Sequence, residues 1–220
     1  GILKQGRPMS ESGDVQQISN EPANDSFLAS AESSIICPKD KRGTLVECVL
    51  DGELRAMQCS HCGGNWLRGA VYRLWQQNQP QEQQNVLPTR LDVPFEPPIT
   101  DAQASLCPEC QHYLSRVKLG QKHSFYLERC SNCGGIWCDR GEWEVLQQMG
   151  LQASLSYIFS GEWKTRIKAL EYAERERQAT TDKLGEDISQ RLFELAEMLE
   201  KHPNGDFGVA YLMRRFDQTS

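Results

Sequence analysis

The stretch that most constrains this chain is Cys130-Ser131-Asn132-Cys133-Gly134-Gly135-Ile136-Trp137, continuing to Asp139-Arg140-Gly141-Glu142. Two thiols separated by two residues can grip one metal ion from a single tight turn. The glycines that follow let backbone N–H groups turn towards the sulfurs without a Cβ clash. A half-site of this kind needs another, and Cys107-Pro108-Glu109-Cys110 supplies it. The spacing predicts a closed tetrahedral zinc held by Cys107, Cys110, Cys130 and Cys133. Iron is the metal alternative, because four thiolates also hold it; Gln111, not glycine, follows Cys110.

The same phrase occurs earlier. Cys37-Pro38-Lys39-Asp40 aligns with Cys107 to Cys110, and Cys59-Ser60-His61-Cys62-Gly63-Gly64-Asn65-Trp66 aligns with Cys130 to Trp137. An offset of 70 residues at the first half-site and 71 at the second, with Leu74 falling on Leu146 at 72, is an internal duplication. The first copy is worn: Asp40 stands at the second ligand position, and the Asp and Glu that follow the later tryptophan are absent. A metal site of Cys37, Asp40, Cys59 and Cys62 is expected, since zinc accepts carboxylate. His61 or Cys48 as fourth donor, or an empty site, stay open alternatives. Trp66, Trp137 and Cys138 are expected to be core residues, and His112 and His123 surface residues.

Nine cysteines in 220 residues would fit a disulfide framework, but eight of them sit in or beside the duplicated phrase, and pairing would leave one odd thiol. Metal ligation in a reducing cytoplasm is the simpler account. No apolar run is long enough to cross a bilayer and no signal peptide is recognisable. Net charge is −6. From Cys37 to Trp75 six basic residues face four acidic ones, and from Cys107 to Met149 the signs balance at five each. That is not the basic footprint phosphate contacts require, so charge disfavours a nucleic-acid partner.

Along the chain, residues 1–8 ahead of Met9 read as vector-derived. Residues 9–36, with five acids and no Lys or Arg, read as a disordered acidic leader. The first metal ribbon spans 37–77, with strands at Thr44–Leu50 and Glu53–Gln58 about an Asp51-Gly52 turn and a short helix over Gly69–Gln77. Residues 78–104 form a Gln- and Pro-rich linker whose apolar minority (Val86, Leu91, Val93, Phe95, Ile99) can lie along a ribbon. The second ribbon, 105–150, repeats the plan with strands at Tyr113–Lys118 and Ser124–Arg129. Asp139 and Glu142 there read as a capping box for the helix that follows. In 151–220, Trp163, Ile167 and Leu170, then Ile188, Leu192, Leu195 and Leu199, fall at helical spacing. Helices are expected near Glu162–Gln178 and Asp187–His202, broken at Pro203-Asn204-Gly205, with a last amphipathic piece around Val209 to Phe216. Docking on the ribbons, self-association and partner binding are all open to them.

The pattern of Cys107-Pro-Glu-Cys110 and Cys130-Ser-Asn-Cys133-Gly-Gly-Ile-Trp-Cys-Asp-Arg-Gly-Glu142 resembles the bacterial zinc ribbons grouped as TFIIB-type transcription-factor zinc fingers. The later ribbon carries that family's pattern throughout; the earlier departs from it at Asp40 and after Leu67. The resemblance implies a metal-binding scaffold with unspecified partners, and its label suggests transcription by analogy of fold. The expected fold is therefore a small metal-stabilised α+β chain: two tandem zinc ribbons, each a β-hairpin plus a short helix, then a helical C-terminal region. The leading functional expectation is a cytoplasmic, non-enzymatic adaptor or regulator acting through protein–protein contacts. Its rivals are a nucleic-acid-binding or RNA-polymerase-associated factor and a redox or metal-labile sensor.

Overall fold

The computed structural model describes residues 34–217, and the expected leader up to residue 33 lies outside them. Residues 34–36, assigned to that leader by sequence, already belong to the first ribbon. The N–H of Leu45 donates to the carbonyl of Ile35 at 2.8 Å, and Ile36 bridges Thr44.

Each ribbon is a hairpin followed by a three-residue strand and a helix. The first has β1 (Leu45–Leu50), β2 (Leu54–Cys59), β3 (Asn65–Leu67) and α1 (Gly69–Gln77); the second has β4 (Leu114–Leu119), β5 (Phe125–Cys130), β6 (Ile136–Cys138) and α2 (Glu142–Gln148). Asp51 and Gly52 both take left-handed backbone, which is what lets so short a turn follow the twist of β1 and β2. The remaining helices are α3 (Leu155–Ile158), α4 (Gly161–Leu184), α5 (Glu186–Lys201) and α6 (Gly205–Asp217).

Two separate small sheets were expected, and the structure joins them. All six strands form one antiparallel sheet in the order β1-β2-β3-β6-β5-β4. The seam pairs Asn65 with Cys138, Trp66 with Trp137 and Leu67 with Ile136. Under the internal duplication this pairing is self-equivalent, so a local pseudo-two-fold axis passes between the two tryptophans. Strands of three residues are too short to read from alternation, which is why sequence periodicity misses β3 and β6.

Both tryptophans are fully buried, and each lies over the other ribbon's double glycine. A Cβ on Gly64 would overlap the ring of Trp137, and one on Gly135 would overlap the ring of Trp66. The Gly-Gly-x-Trp phrase thus packs one copy against the other as well as turning the backbone at the metal.

A buried charge network crosses the same seam. Lys39 of ribbon one is 5% exposed and sits 2.9 Å from Glu128 and 3.6 Å from Asp139, both of ribbon two. Its ammonium also donates to the carbonyls of Gln103 and Thr100, at 2.6 and 3.1 Å. At the equivalent place across the axis, Glu109 of ribbon two accepts from Arg68 of ribbon one at 2.8 Å. Position for position the contact is the same with the charges exchanged.

Two apolar clusters follow from strand alternation. One face of the sheet gathers Leu45, Met57, Trp66, Leu114 and Trp137 around the buried cysteines 37, 59, 107 and 130. The other gathers Leu54, Ala56, Phe125 and Leu127 with Tyr72 and Trp75 of α1 and Trp143 and Leu146 of α2. Helices α3 and α4 extend this second core with Leu155, Ile158 and Trp163, while Phe159 lies 5.9 Å from the guanidinium of Arg129. The 78–104 segment is tied down on ribbon two. Val93 is buried, Phe95 meets Phe125 edge-on at 5.7 Å, and Asp92 accepts the N–H groups of Gln121, Lys122 and His123 at 3.0 to 3.1 Å. Of its other apolar residues, Ile99 stays 88% exposed.

The long helix α4 outruns its expected end because α5 folds back on it. Ser189 donates to the carbonyl of Thr180, and Arg177 lies 3.9 Å over the ring of Phe193. Gly185, in left-handed backbone, makes the break between them.

The seam yields a direct expectation. Gly135→Ala must displace the Trp66 ring and should destabilise the fold by about 1–3 kcal/mol, as overpacking does. Thermal unfolding measures it; an unchanged melting temperature would remove the seam from the fold's essential contacts.

Candidate metal centre

Each metal site is assembled from two knuckles that the hairpin brings together. In ribbon two, the turn Cys107–Cys110 leads into β4, and Cys130 ends β5 as the next turn begins. The N–H of Cys130 donates to the carbonyl of Gly135 at 2.8 Å, and that of Gly134 to Cys130 at 2.9 Å, which closes the knuckle. Gly134 and Gly63 take the same left-handed conformation in the two copies, as do Gln111 and Lys41.

The four donors of each quartet lie within 4.8 Å of one another. In ribbon two, the sulfurs of Cys107 and Cys133 are 3.6 Å apart and those of Cys110 and Cys130 are 3.4 Å apart. Four sulfurs at the usual zinc–sulfur distance would sit about 3.8 Å from one another on a tetrahedron. A disulfide needs about 2.05 Å, and all nine cysteines are free thiols. Backbone N–H groups aim at the sulfurs: Cys110 to Cys107 at 3.5 Å and Gly135 to Cys133 at 3.4 Å.

The protons on these thiols are shared unevenly. Burial, against the pull of the backbone N–H groups of Cys110 and Glu109 and helped by the thiols of Cys110 and Cys133, pushes Cys107 well above the usual thiol range. Burial also acts to raise Cys110, but Asn132, Cys107 and Cys130 outweigh it and pull it down to about 6. Packed thiols that must divide protons among themselves are the donor chemistry a divalent cation satisfies by replacing them. Zinc fits Cys107, Cys110, Cys130 and Cys133.

Ribbon one departs at one donor. The sulfurs of Cys37 and Cys62 are 3.7 Å apart, and Oδ2 of Asp40 lies 3.8 Å from the sulfur of Cys59. Burial opposes ionisation of Asp40, yet the N–H groups of Gly43 and Arg42 and the ring of His61 hold its carboxyl down at about 2. A side chain kept as carboxylate beside three thiols offers an oxygen donor, so Cys37, Asp40, Cys59 and Cys62 are compatible with zinc as well. His61 is placed one step out: its Nδ1 is 2.7 Å from Oδ2 of Asp40, and half of the side chain faces solvent. It orients the carboxylate. Cys48 packs with the opposite core, away from the quartet.

The acids after Trp137 do not form the expected capping box: Gly141 is the N-cap of α2, with no side-chain cap hydrogen bond. The carboxylate of Glu142 accepts from the N–H of Asp139 at 2.7 Å. The side chain of Asp139, however, turns the other way and accepts from Nε1 of Trp137 at 3.1 Å and from Thr100 at 3.0 Å. In ribbon one the matching residue is Arg68, and Nε1 of Trp66 is buried with no hydrogen-bond partner. Asp139 therefore braces the metal loop through its tryptophan. Asp101 joins Asp139 and Glu142 in a buried carboxylate group, and burial beside Asp139 raises Glu142 well above the carboxylate range. Sequence reading missed Asp101 and Lys39, because neither lies in a recognisable motif.

Among the surface histidines, His112 is exposed and His123 pairs with Asp92 at 2.8 Å. Among the described residues no helix is long and apolar enough to cross a membrane.

Residues 106–148 match the model of a family described as transcription factor zinc-finger, a zinc ribbon of the TFIIB type. The match covers ribbon two. No curated protein and no solved structure matches the chain.

Ribbon two thus matches the TFIIB-type zinc ribbon, and ribbon one is its altered partner with a donor set that also fits zinc. A carboxylate is a harder donor than the thiolate it replaces, so the two sites should release zinc in order. Purified protein is expected to carry two zinc ions per chain and to lose them to a chelator in two phases, ribbon one first. Asp40→Cys should merge the early phase with the late one. Simultaneous release from the unmodified chain would contradict the ranking.

Proposed function

We propose that this protein is a non-enzymatic zinc-ribbon adaptor whose paired ribbons present a rigid protein-binding face. Four sulfurs close ribbon two's coordination and leave no position for a substrate, the signature of structural rather than catalytic zinc. One observation carries the choice of face. In ribbon two, Val117 of the hairpin borders Trp163 and Ile167 of α4 and packs into the core. The equivalent residue in ribbon one, Cys48, packs against the same core, but no residue of α4 lies beside it in the adjoining groove. That groove, of about 390 Å³, is lined by Cys48, Val49, Arg55, Ala56, Arg68 and Val71. Val46 and Val49 on the same edge strand are 51% and 58% exposed. Sheet edges and apolar grooves of this kind take up helices or strands of other proteins.

The family description brings a link to transcription, which makes a component of the transcription machinery, RNA polymerase included, the partner class of first interest. Direct nucleic-acid binding would draw on Lys41, Arg42, Arg55, Arg68 and Arg73. Arg68 is already held by Glu109, and Arg73 lies against Gly134 of ribbon two. That arrangement supports a protein partner over a phosphate backbone.

A photoreactive residue at Val49 in the full chain should crosslink to protein inside cells. Arg55→Glu should reduce the yield severalfold without changing zinc content. Crosslinks to nucleic acid that fade steeply with salt would overturn the proposal.

A further inference from the structure

Three acids meet in a dry place beside the Trp137 loop. Asp101 comes from a single 3-10 turn, Ile99–Ala102, in the segment between the ribbons. Asp139 follows β6, and Glu142 opens α2. The three are 6%, 1% and 0% exposed, and one oxygen of each lies within 4.8 Å of the others. Burying carboxylates side by side costs free energy unless positive charge lies among them.

One oxygen of each carboxylate is held by a donor. Oδ1 of Asp101 accepts the N–H of Tyr126 at 2.7 Å, and Oδ1 of Asp139 accepts from Trp137 and Thr100. Oε2 of Glu142 accepts the N–H of Asp139. The second oxygens differ. Among the described residues, Oδ2 of Asp139 and Oε1 of Glu142 are buried with no hydrogen-bond partner. The cations beside them are committed elsewhere. An ammonium has three hydrogens, and that of Lys39 meets Glu128 and the carbonyls of Thr100 and Gln103, leaving Oδ2 of Asp139 at 3.6 Å. Arg116 turns to Glu128 at 2.9 Å and to the carbonyl of Asp101, not to its carboxylate.

Formal charge sets the kind of ligand this triad suits. Lys39 and Arg116 together carry one positive charge more than Glu128, which offsets one member of the triad. Two negative charges remain, the charge of one divalent cation. A proton on Glu142 would settle only one of them. Carboxylate oxygens alone select hard cations, Mg2+, Mn2+ or Ca2+, over the zinc that thiolates hold. Oxygens on opposite sides of such an ion stand about 4–5 Å apart, so the spread of the triad suits a single ion.

We infer that Asp101, Asp139 and Glu142 form a third cation site, for a hard divalent ion such as Mg2+ or Ca2+. The ion takes the unpartnered oxygens of Asp139 and Glu142 and a carboxylate oxygen of Asp101. Asp101 belongs to the inter-ribbon segment and the other two to ribbon two, so the ion clamps that segment beside the Trp137 loop. Ribbon one carries Arg68 where ribbon two carries Asp139, which confines the site to ribbon two. The site is separate from the ribbon-one groove, and its failure would leave the adaptor proposal standing.

The test is Mn2+ uptake by the full zinc-loaded chain, read as loss of the free ion's electron paramagnetic resonance signal. The unmodified protein should bind one Mn2+ per chain with its zinc content unchanged, and Mg2+ or Ca2+ should displace it. Asp101→Asn and Glu142→Gln each remove one charge at constant shape and should each weaken uptake at least tenfold. Two variants keep the test open if one fails to fold. Mg2+ should also raise the melting temperature of the unmodified chain more than that of either variant. An absence of Mn2+ uptake at millimolar concentration would overturn the inference and leave protons to settle the triad. Uptake that neither variant weakens would overturn it too, as would uptake matched by loss of zinc.

Discussion

Three residues from each ribbon, paired about two facing tryptophans, hold this architecture together. Metal-stabilised hairpins of this size bury too little apolar surface to stand alone, and bound metal usually makes up the difference. Here the ribbons also share a sheet. The antiparallel contact of β3 with β6 turns two knuckles into one platform, with the metal quartets and both tryptophans on one side and the helices on the other. Tryptophan suits the seam because its ring is large enough to reach across the axis, and glycine suits the position beneath because nothing larger fits.

The second site owes its geometry to groups outside the quartet. Trp137 braces the knuckle, Asp139 holds the indole N–H, and Lys39 sets a positive charge beside Asp139 and Glu128. Such outer groups fix how a metal loop is oriented and how dry it stays. Ribbon one has lost the tryptophan's acceptor and one thiolate. It has gained Asp40 and His61, which keep an oxygen donor ionised and pointed inward. The two halves share a frame but differ in donor hardness and in how tightly their loops are braced.

Much of this was open to a reading of the chain by itself. Cysteine spacing located both quartets, the duplication fixed which residues correspond, and alternation found the four hairpin strands within a residue of their ends. Helix α1 fell on the residues expected for it. The joined sheet was not accessible in that way: three-residue strands have no period, and nothing local says that Trp66 should face Trp137. Lys39 resisted for a related reason. A lysine beside a candidate ligand reads as a solvated charge, and only the fold shows four polar partners closing over it. The 78–104 segment looked like a spacer, because proline and glutamine content hides the few side chains, Asp92, Val93 and Phe95, that fasten it to ribbon two.

The exchanged charges at the seam carry a consequence for how the halves recognise each other. Lys39 answers Asp139, and Glu109 answers Arg68. Two first-half ribbons brought together would oppose lysine with arginine, and two second-half ribbons would oppose glutamate with aspartate. Like charges so placed repel, strongly where water is excluded. Divergence after duplication has therefore made the repeats a lock and its key: each rejects its own kind, and fusion in a single polypeptide keeps the matching mate within reach.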